Sequence, residues 1–205
     1  MRGITEPQRN ALARLAPALE PGTYLAGGVA AGLALGHRIS KDIDLFVPAA
    51  FDEERLEERL AASVPEARIV GRAPGTLHLE VAGVPTSILS YRYPFLSAPH
   101  SHPDSPVPVV SDDDLVCMKL SAIAGRGAAK DFWDLDLLLK RGAAGGSLAH
   151  ALELFSKKYA TEDVGHVIRS LAYFGDADVA PLPMGLDSST WTEVKARMTA
   201  RVREL

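Results

Sequence analysis

The sequence predicts an α+β protein, with strands and helices mixed in the first half and helices alone in the second. Three observations carry this. Period-two alternation of apolar residues is confined to the first half and is clearest in "TLHLEVAGVPTSILSY" at 76–91. From residue 111 onward the apolar residues recur at helical spacing instead. Between the two regimes, residues 94–110 hold five prolines. The division therefore falls into 1–110, a small mixed sheet with helices, and 111–205, a helical region packed on that core.

The elements follow in order. Leu12, Leu15 and Leu19 give Gln8–Leu19 a helical stripe, which Pro21-Gly22 ends. Thr23–Ala26 reads as a short strand, Gly27-Gly28 as a turn, and Val29–Leu35 as a small-residue helix stopped by Gly36. Ile43–Val47 is a strand closed by Pro48. Asp52 caps a charged helix, Glu53–Ala62. Arg68–Gly71 leads into a hairpin turning at Ala82-Gly83, which pairs Val81 with Val84, Glu80 with Pro85 and His78 with Ser87. Residues 94–110 read as an irregular loop. Ser111 and Asp114 form a capping-box spacing that opens the next helix. Helices follow at Asp131–Lys140, Leu148–Tyr159 and Glu162–Tyr173. A turn-rich link then leads to a last helix boxed by Thr190 and Glu193.

Composition narrows the class of protein. Hydrophobic residues make up 47% and charged residues 23% of the 205, an ordinary balance for a folded globular chain. The single cysteine, Cys117, excludes a disulfide framework and points to a reducing cytoplasm. The N-terminal residues lack a signal-peptide core and no apolar run reaches spanning length, so no membrane association is expected. A net charge of −4 argues against a globally basic nucleic-acid binder.

The stretch "YLAGGVAAGLALGHRISKDIDLFV" carries the chemistry. Asp42 and Asp44 share one face of a strand, with Cα atoms about 6.5–7 Å apart, while Ile43 and Leu45 point to the core. Two carboxylates so placed are either solvated or engaged with a cation, and magnesium favours such oxygen ligands together with substrate phosphates. Gly27 and Gly28 let the backbone approach a ligand, and the helix beginning there offers free N–H groups to a phosphate. Asp-x-Asp alone also suits sugar-nucleotide transfer. Arg38 and Ser40, just before the acidic strand, either shape the loop or touch phosphate.

"LAGGVAAGLALGHRISKDIDLF" and "VVSDDDLVCMKLSAIAGRGAAKDFWDLDLLL" together resemble the AbiEii/AbiGii-type nucleotidyltransferase toxins of the DNA polymerase β-like superfamily. The resemblance implies a small mixed-sheet nucleotidyltransferase core followed by a helical half, and transfer of a nucleotidyl group from an NTP with loss of pyrophosphate. It assigns Asp42 and Asp44 to magnesium and Gly27 and Gly28 to the β,γ-phosphates. Lys119 would approach the nucleotide, with Arg126, Lys130 and Asp131 near it. It further implies an RNA acceptor such as tRNA, or a protein hydroxyl, and an antitoxin partner.

The chain departs from that pattern at one position. The superfamily places a third carboxylate on a neighbouring strand, and the matching position here is Ser87, a poor metal ligand and no base at neutral pH. The hairpin register puts His78, Glu80 and Ser87 on one face; if that face meets Asp42 and Asp44, Glu80 completes the carboxylates or His78 acts as base, and otherwise it is a solvated hairpin face of ordinary polar residues. The alternative is a catalytically degenerate nucleotidyltransferase-fold domain that only binds nucleotide or a partner protein. Lys195, Arg197, Arg201 and Arg203 give the last helix a basic character, read either as an RNA contact or as a solvated face.

Overall fold

A computed structural model describes residues 3–205. The chain forms two compact units. One comprises the described residues up to Pro94 together with Ala98–Ser111, and the other Phe95–Ser97 together with Asp112–Leu205.

The first unit is built on one seven-stranded sheet. Its elements in chain order are α1 (Glu6–Leu15), β1 (Tyr24–Ala26), α2 (Gly27–Leu35), β2 (Ile43–Val47), α3 (Glu53–Ser63), β3 (Ala67–Ala73), β4 (Thr76–Val81), β5 (Val84–Ser90), β6 (His100–His102) and β7 (Ser105–Val109). The sheet order is β3-β4-β5-β2-β1-β7-β6. β2 runs parallel to β5 and antiparallel to β1, and β1 runs parallel to β7.

Local chemistry explains several boundaries. Thr5 accepts from the Gln8 amide, and the Gln8 side chain returns the bond to the Thr5 amide. This reciprocal cap starts α1 at Glu6, earlier than the apolar stripe alone suggests. Pro17 then turns the segment after Leu15 into a short 3₁₀ stretch, Ala16–Ala18. Gly36 ends α2 at φ +66°, a left-handed position that suits glycine. The β4–β5 turn places Ala82 at φ 49° and Gly83 at φ 82°, and positive φ at both central residues is the twist a two-residue hairpin needs. The register is the expected one, with Val81 opposite Val84, Glu80 opposite Pro85 and His78 opposite Ser87.

Residues 94–110 overturn the loop expectation. They contain β6 and β7, and β7 joins the sheet beside β1 with Leu25 opposite Val109. In "SPVPV" Val107 and Val109 are buried while Pro106 and Pro108 are exposed, a strand alternation hidden by proline content. The two prolines are two residues apart, so their missing N–H donors fall on one edge of the strand. β1 is reached instead through Val109 and the Val110 amide, which donates to Leu25 O at 3.0 Å.

The sheet has one dry face. Leu25, Ile43, Leu45, Val47, Leu77, Leu79, Val81 and Ile88 are buried, as are Leu12 and Leu15 of α1 and Leu56 and Leu60 of α3. α1 packs along β5 and β7, and α3 along β3. Alternate residues of β2, β4 and β5 point the other way and are at least partly open. That second face carries Asp44.

The second unit consists of α4 (Asp112–Arg126), α5 (Ala129–Arg141), α6 (Leu148–Tyr159), α7 (Gly165–Leu171), α8 (Gly175–Val179) and α9 (Ser188–Arg203). α4 packs against α5, α6 and α7, and α5 packs against α9. The expected helix Glu162–Tyr173 is shorter, because the backbone breaks at Ala172 and Gly175 restarts it as α8 inside the expected link. α9 begins at Ser188, not at a Thr190–Glu193 box. Asp187 is the cap and accepts from the Thr190 amide at 2.7 Å, which holds its carboxyl below the usual range. Asp114, expected in a cap, ties chain segments together instead. Its carboxylate accepts from the Leu96 and Ser97 amides at 3.1 Å and from Lys158 at 2.6 Å, which fixes Phe95–Ser97 to the helices.

Candidate active site

Asp44 lies at the centre of the open sheet face. The row of residues in register through it runs Ala26, Asp44, Ser87, His78, Gly71 across five adjacent strands. The next row on one side holds Pro85, Glu80 and Arg68, and on the other Tyr24, Phe46, Leu89 and Thr76. Tyr24 stacks on Phe46, with ring centroids 5.8 Å apart, and Phe46 meets Tyr91 edge-on at 5.2 Å.

The chain closes on Asp44 where α2 begins. Gly27 is the first residue of α2 at φ +64°, and a Cβ there would stand 2.3 Å from Asp44 Oδ2. A Cβ on Gly28 would meet Ser40 Oγ at 2.2 Å and come within 3.3 Å of an Arg38 guanidinium nitrogen. Close approach thus demands both glycines, and at Gly27 the positive φ demands one as well. Its N-cap residue, Ala26, makes no side-chain cap bond, and the N–H groups without intrahelical partners and the positive dipole end of a helix start favour an anion.

The loop before β2 is held from beneath. Gln8 is buried and donates through Nε2 to the Ser40 carbonyl at 2.7 Å. Ser40 is buried and donates from Oγ to Asp42 Oδ1 at 3.1 Å. Arg38 is buried beside them. Nothing in a helix-capping glutamine announces a partner 32 residues away, so the sequence carries no signal for Gln8.

Glu80 and His78 occupy different places on this face. Glu80 is ion-paired with exposed Arg68 at 3.2 Å and sits opposite Pro85. His78 is exposed, and its Nδ1 lies 2.9 Å from Ser87 Oγ.

Within the helical unit, Lys119 of α4 is buried and its ammonium sits 3.1 Å from Asp131 and 2.7 Å from Asp134 of α5. Arg126 grips Asp131 with two bonds, Nε to Oδ2 at 2.8 Å and Nη2 to Oδ1 at 2.9 Å. Burial pushes the Asp131 carboxyl up, but the Lys119 charge and the Arg126 bonds outweigh it and leave it below the usual carboxylate range. Asp131 and Asp134 are fully buried and Lys130 is half-buried.

A further buried carboxylate of α5, Asp136, has its main partner on another helix. Arg197 binds it through Nε and Nη2 at 2.9–3.2 Å, and Lys140 reaches it at 3.2 Å. Lys195 pairs with Asp178 at 2.9 Å. The basic residues Lys195 and Arg197 of the last helix are therefore engaged inside their own unit. The signal was three aspartates at 131, 134 and 136 among Phe, Trp and Leu on one helix. Phe132 packs against Phe174 and Trp191 as core, at centroid distances of 5.2 and 5.9 Å.

Among the described residues, no cluster of three or more His, Cys, Asp or Glu side chains is arranged to hold a metal by itself. Asp42 and Asp44 nonetheless fit magnesium, which binds through one or two carboxylates and leaves its other positions to water and substrate phosphate. A Cβ on Gly27 would strike Asp44 itself, so the glycine is what lets this carboxylate lie against the start of α2.

The family model for the nucleotidyl transferase AbiEii toxin, type IV toxin–antitoxin system, matches residues 10–75 and 65–204. The chain belongs to this family. Across its whole length it is 32% identical to aq_aa25 of Aquifex aeolicus strain VF5, covering 98% of that protein. Its fold is similar to that of MenT4, a nucleotidyltransferase toxin of Mycobacterium tuberculosis, with a TM-score of 0.62 at 16% identity over 97% of this chain and 82% of the other. The antibiotic-resistance factor ANT(2'')-Ia aligns with a TM-score of 0.54 at 16% identity over 75% of this chain and 91% of its own. The α+β nucleotidyltransferase fold of this AbiEii member is therefore the one its two sequence blocks imply. No helix among its described residues is long and apolar enough to cross a membrane.

Proposed function

We propose that this AbiEii-family protein is a magnesium-dependent nucleotidyltransferase that moves a nucleotidyl group from an NTP to a hydroxyl of RNA, with tRNA as the acceptor. The observation that carries the reading is the fit of the Gly27 bend against Asp44. Gly27 lets the Asp44 carboxylate lie directly against the start of α2, where backbone N–H groups favour an anion.

In this reading Asp42 and Asp44 hold the metal, and Ser40 orients Asp42 by its hydrogen bond. The first turn of α2, from Gly27 and Gly28, receives the β,γ-phosphates through backbone N–H groups. Magnesium bound there supplies neutralisation of charge on the phosphoryl oxygens. The acceptor oxygen attacks the α-phosphorus, the bond from that phosphorus to the β-phosphate bridge breaks, and pyrophosphate departs. The family resemblance assigns Lys119, Arg126 and Lys130 to the nucleotide, and Asp131 is the group on which Lys119 and Arg126 are held. Family membership also supports an antitoxin protein as partner and a cytoplasmic site of action.

The test is incorporation of label from each α-³²P-NTP into total tRNA with magnesium, comparing the wild type with Asp44→Asn. Labelled tRNA that disappears in the variant is the expected result. NTP binding detected as a rise in Tm, without any transfer, would instead favour a nucleotide-binding domain that has lost catalysis, a reading for which serine beside Asp44 is the specific support.

A further inference from the structure

We infer that His78 is the group that takes the proton from the acceptor hydroxyl, with Ser87 holding its ring. This rests on the nucleotidyl-transfer reading above and names the base that reading leaves open.

An attacking hydroxyl must lose its proton as the bond to phosphorus forms. Asp42 and Asp44 are committed to the cation in this reading, so the acceptor must lie elsewhere on the same sheet face. The strand paired with β2 on that side is β5, and the residue in register with Asp44 is Ser87. Serine is too weak a base, and its side chain is short. One strand further, in the same row, stands His78. Neighbouring strands lie about 4.8 Å apart, so the His78 backbone is about 10 Å from that of Asp44, and the imidazole leans toward it as far as Ser87.

The hydrogen bond fixes how the ring is used. His78 Nδ1 and Ser87 Oγ are 2.9 Å apart. With Nδ1–H donating to Ser87 Oγ, the lone pair of the neutral ring resides on Nε2, the nitrogen turned away from Ser87. This is the arrangement of a general base set by an orienting neighbour. The step balances. The acceptor O–H proton passes to Nε2, the oxygen bonds to the α-phosphorus, and pyrophosphate leaves with the electron pair of the broken bond. Other charged groups around His78 are Glu80 on its own strand, Arg68 on β3 and Asp44 on β2. Glu80 is less suited, since it sits in the next row opposite Pro85 and is occupied by Arg68.

The experiment compares wild type, His78→Gln, His78→Gln/Ser87→Asp and Glu80→Gln in α-³²P-NTP transfer to total tRNA, with NTP–magnesium affinity measured separately by calorimetry. His78 is exposed, so glutamine there leaves the fold intact. The expected result is a fall in kcat of about 100-fold or more for His78→Gln, with NTP affinity unchanged. Ser87→Asp in that background returns activity by at least tenfold, because a carboxylate beside Asp44 replaces the lost base. Equal turnover in wild type and His78→Gln overturns the assignment. So does a loss confined to Glu80→Gln, which gives the proton to Glu80. A wild type inert with every NTP overturns the proposed function itself, and this assignment with it.

Discussion

Gly27 and Asp44 are fitted so closely that a single methyl group on the glycine would stand 2.3 Å from the carboxylate oxygen. Contact at that distance cannot be relieved by a flexible tip, because Asp44 Cβ would also be only 3.0 Å away. The acidic strand and the start of α2 are one unit of structure.

Gly27→Ala therefore has two separable effects. Alanine at φ +64° costs about 1–2 kcal/mol of backbone strain, a drop of a few degrees in Tm. It also displaces the carboxylate, for which an activity loss of about 100-fold is expected. Gly83→Ala is the matched comparison, with φ +82° and nothing within 4 Å of the added carbon. It should lose similar Tm and keep full NTP transfer. Equal activity losses in the two variants would detach the Gly27 contact from function.

The ion cluster around Lys119 should be costly to break. Asp134→Ala removes one of two carboxylates from a buried ammonium, and breaking such a pair from one side costs about 3–5 kcal/mol. Lys195→Ala removes one partner of exposed Asp178, leaves the Trp191 hydrogen bond to it, and should cost no more than about 1 kcal/mol. Urea denaturation at pH 7 measures both, and similar midpoints for the two variants would contradict the buried character of the Lys119 pair.

Acid should act through Asp131. Its folded-state carboxyl lies below the ordinary value despite burial, because Lys119 and Arg126 stabilise the anion. A carboxyl whose pKa is lower folded than unfolded adds stability that is complete above the unfolded value of about 3.9 and is lost as pH falls through the folded one. Tm should decline below about pH 4 in the wild type. Asp131→Asn should be less stable at pH 7, and the gap should narrow as pH drops toward 2–3. A constant gap across that range would remove Asp131 as the acid-sensitive group.

How much of this was legible in the sequence follows from the range of the forces involved. The hairpin register was readable because Ala82-Gly83 sets it locally, and with it came the row that joins Ser87 to His78. Strand alternation likewise put Asp44 opposite the core, whereas Asp42 lies just before β2, where Ser40 donates to it. The strand at Ser105–Val109 was masked because proline normally argues against a strand, and only its position in the finished sheet shows that the missing donors are tolerated. The ion clusters were the hardest to see. Lys130 and Asp134 look like a helical pair by spacing, whereas Asp134 meets Lys119 on another helix, and Asp136 finds Arg197 from 61 residues away. Helical spacing reports neighbours on one helix and is silent about which face meets a second.

Cys117 offers a direct readout of how firmly α4 is held. Its thiol is fully buried, and burial pushes its pKa up to about 12, with the nearby Lys158 charge only partly opposing this. The thiolate is the reactive form, so the folded protein should resist a disulfide-exchange reagent at pH 8, and one equivalent should react at once in urea. Slow labelling in native buffer then reports the opening of the surrounding helices. Lys119 lies two positions along the same helix, so weakening its cluster should expose Cys117 more often. At tenfold per 1.4 kcal/mol, the cost of about 3 kcal/mol expected for Asp134→Ala corresponds to labelling about 100-fold faster. Rapid labelling of the wild type would mean that Cys117 is not sealed in the core. An unchanged rate in Asp134→Ala would mean that α4 opens independently of the Lys119 cluster.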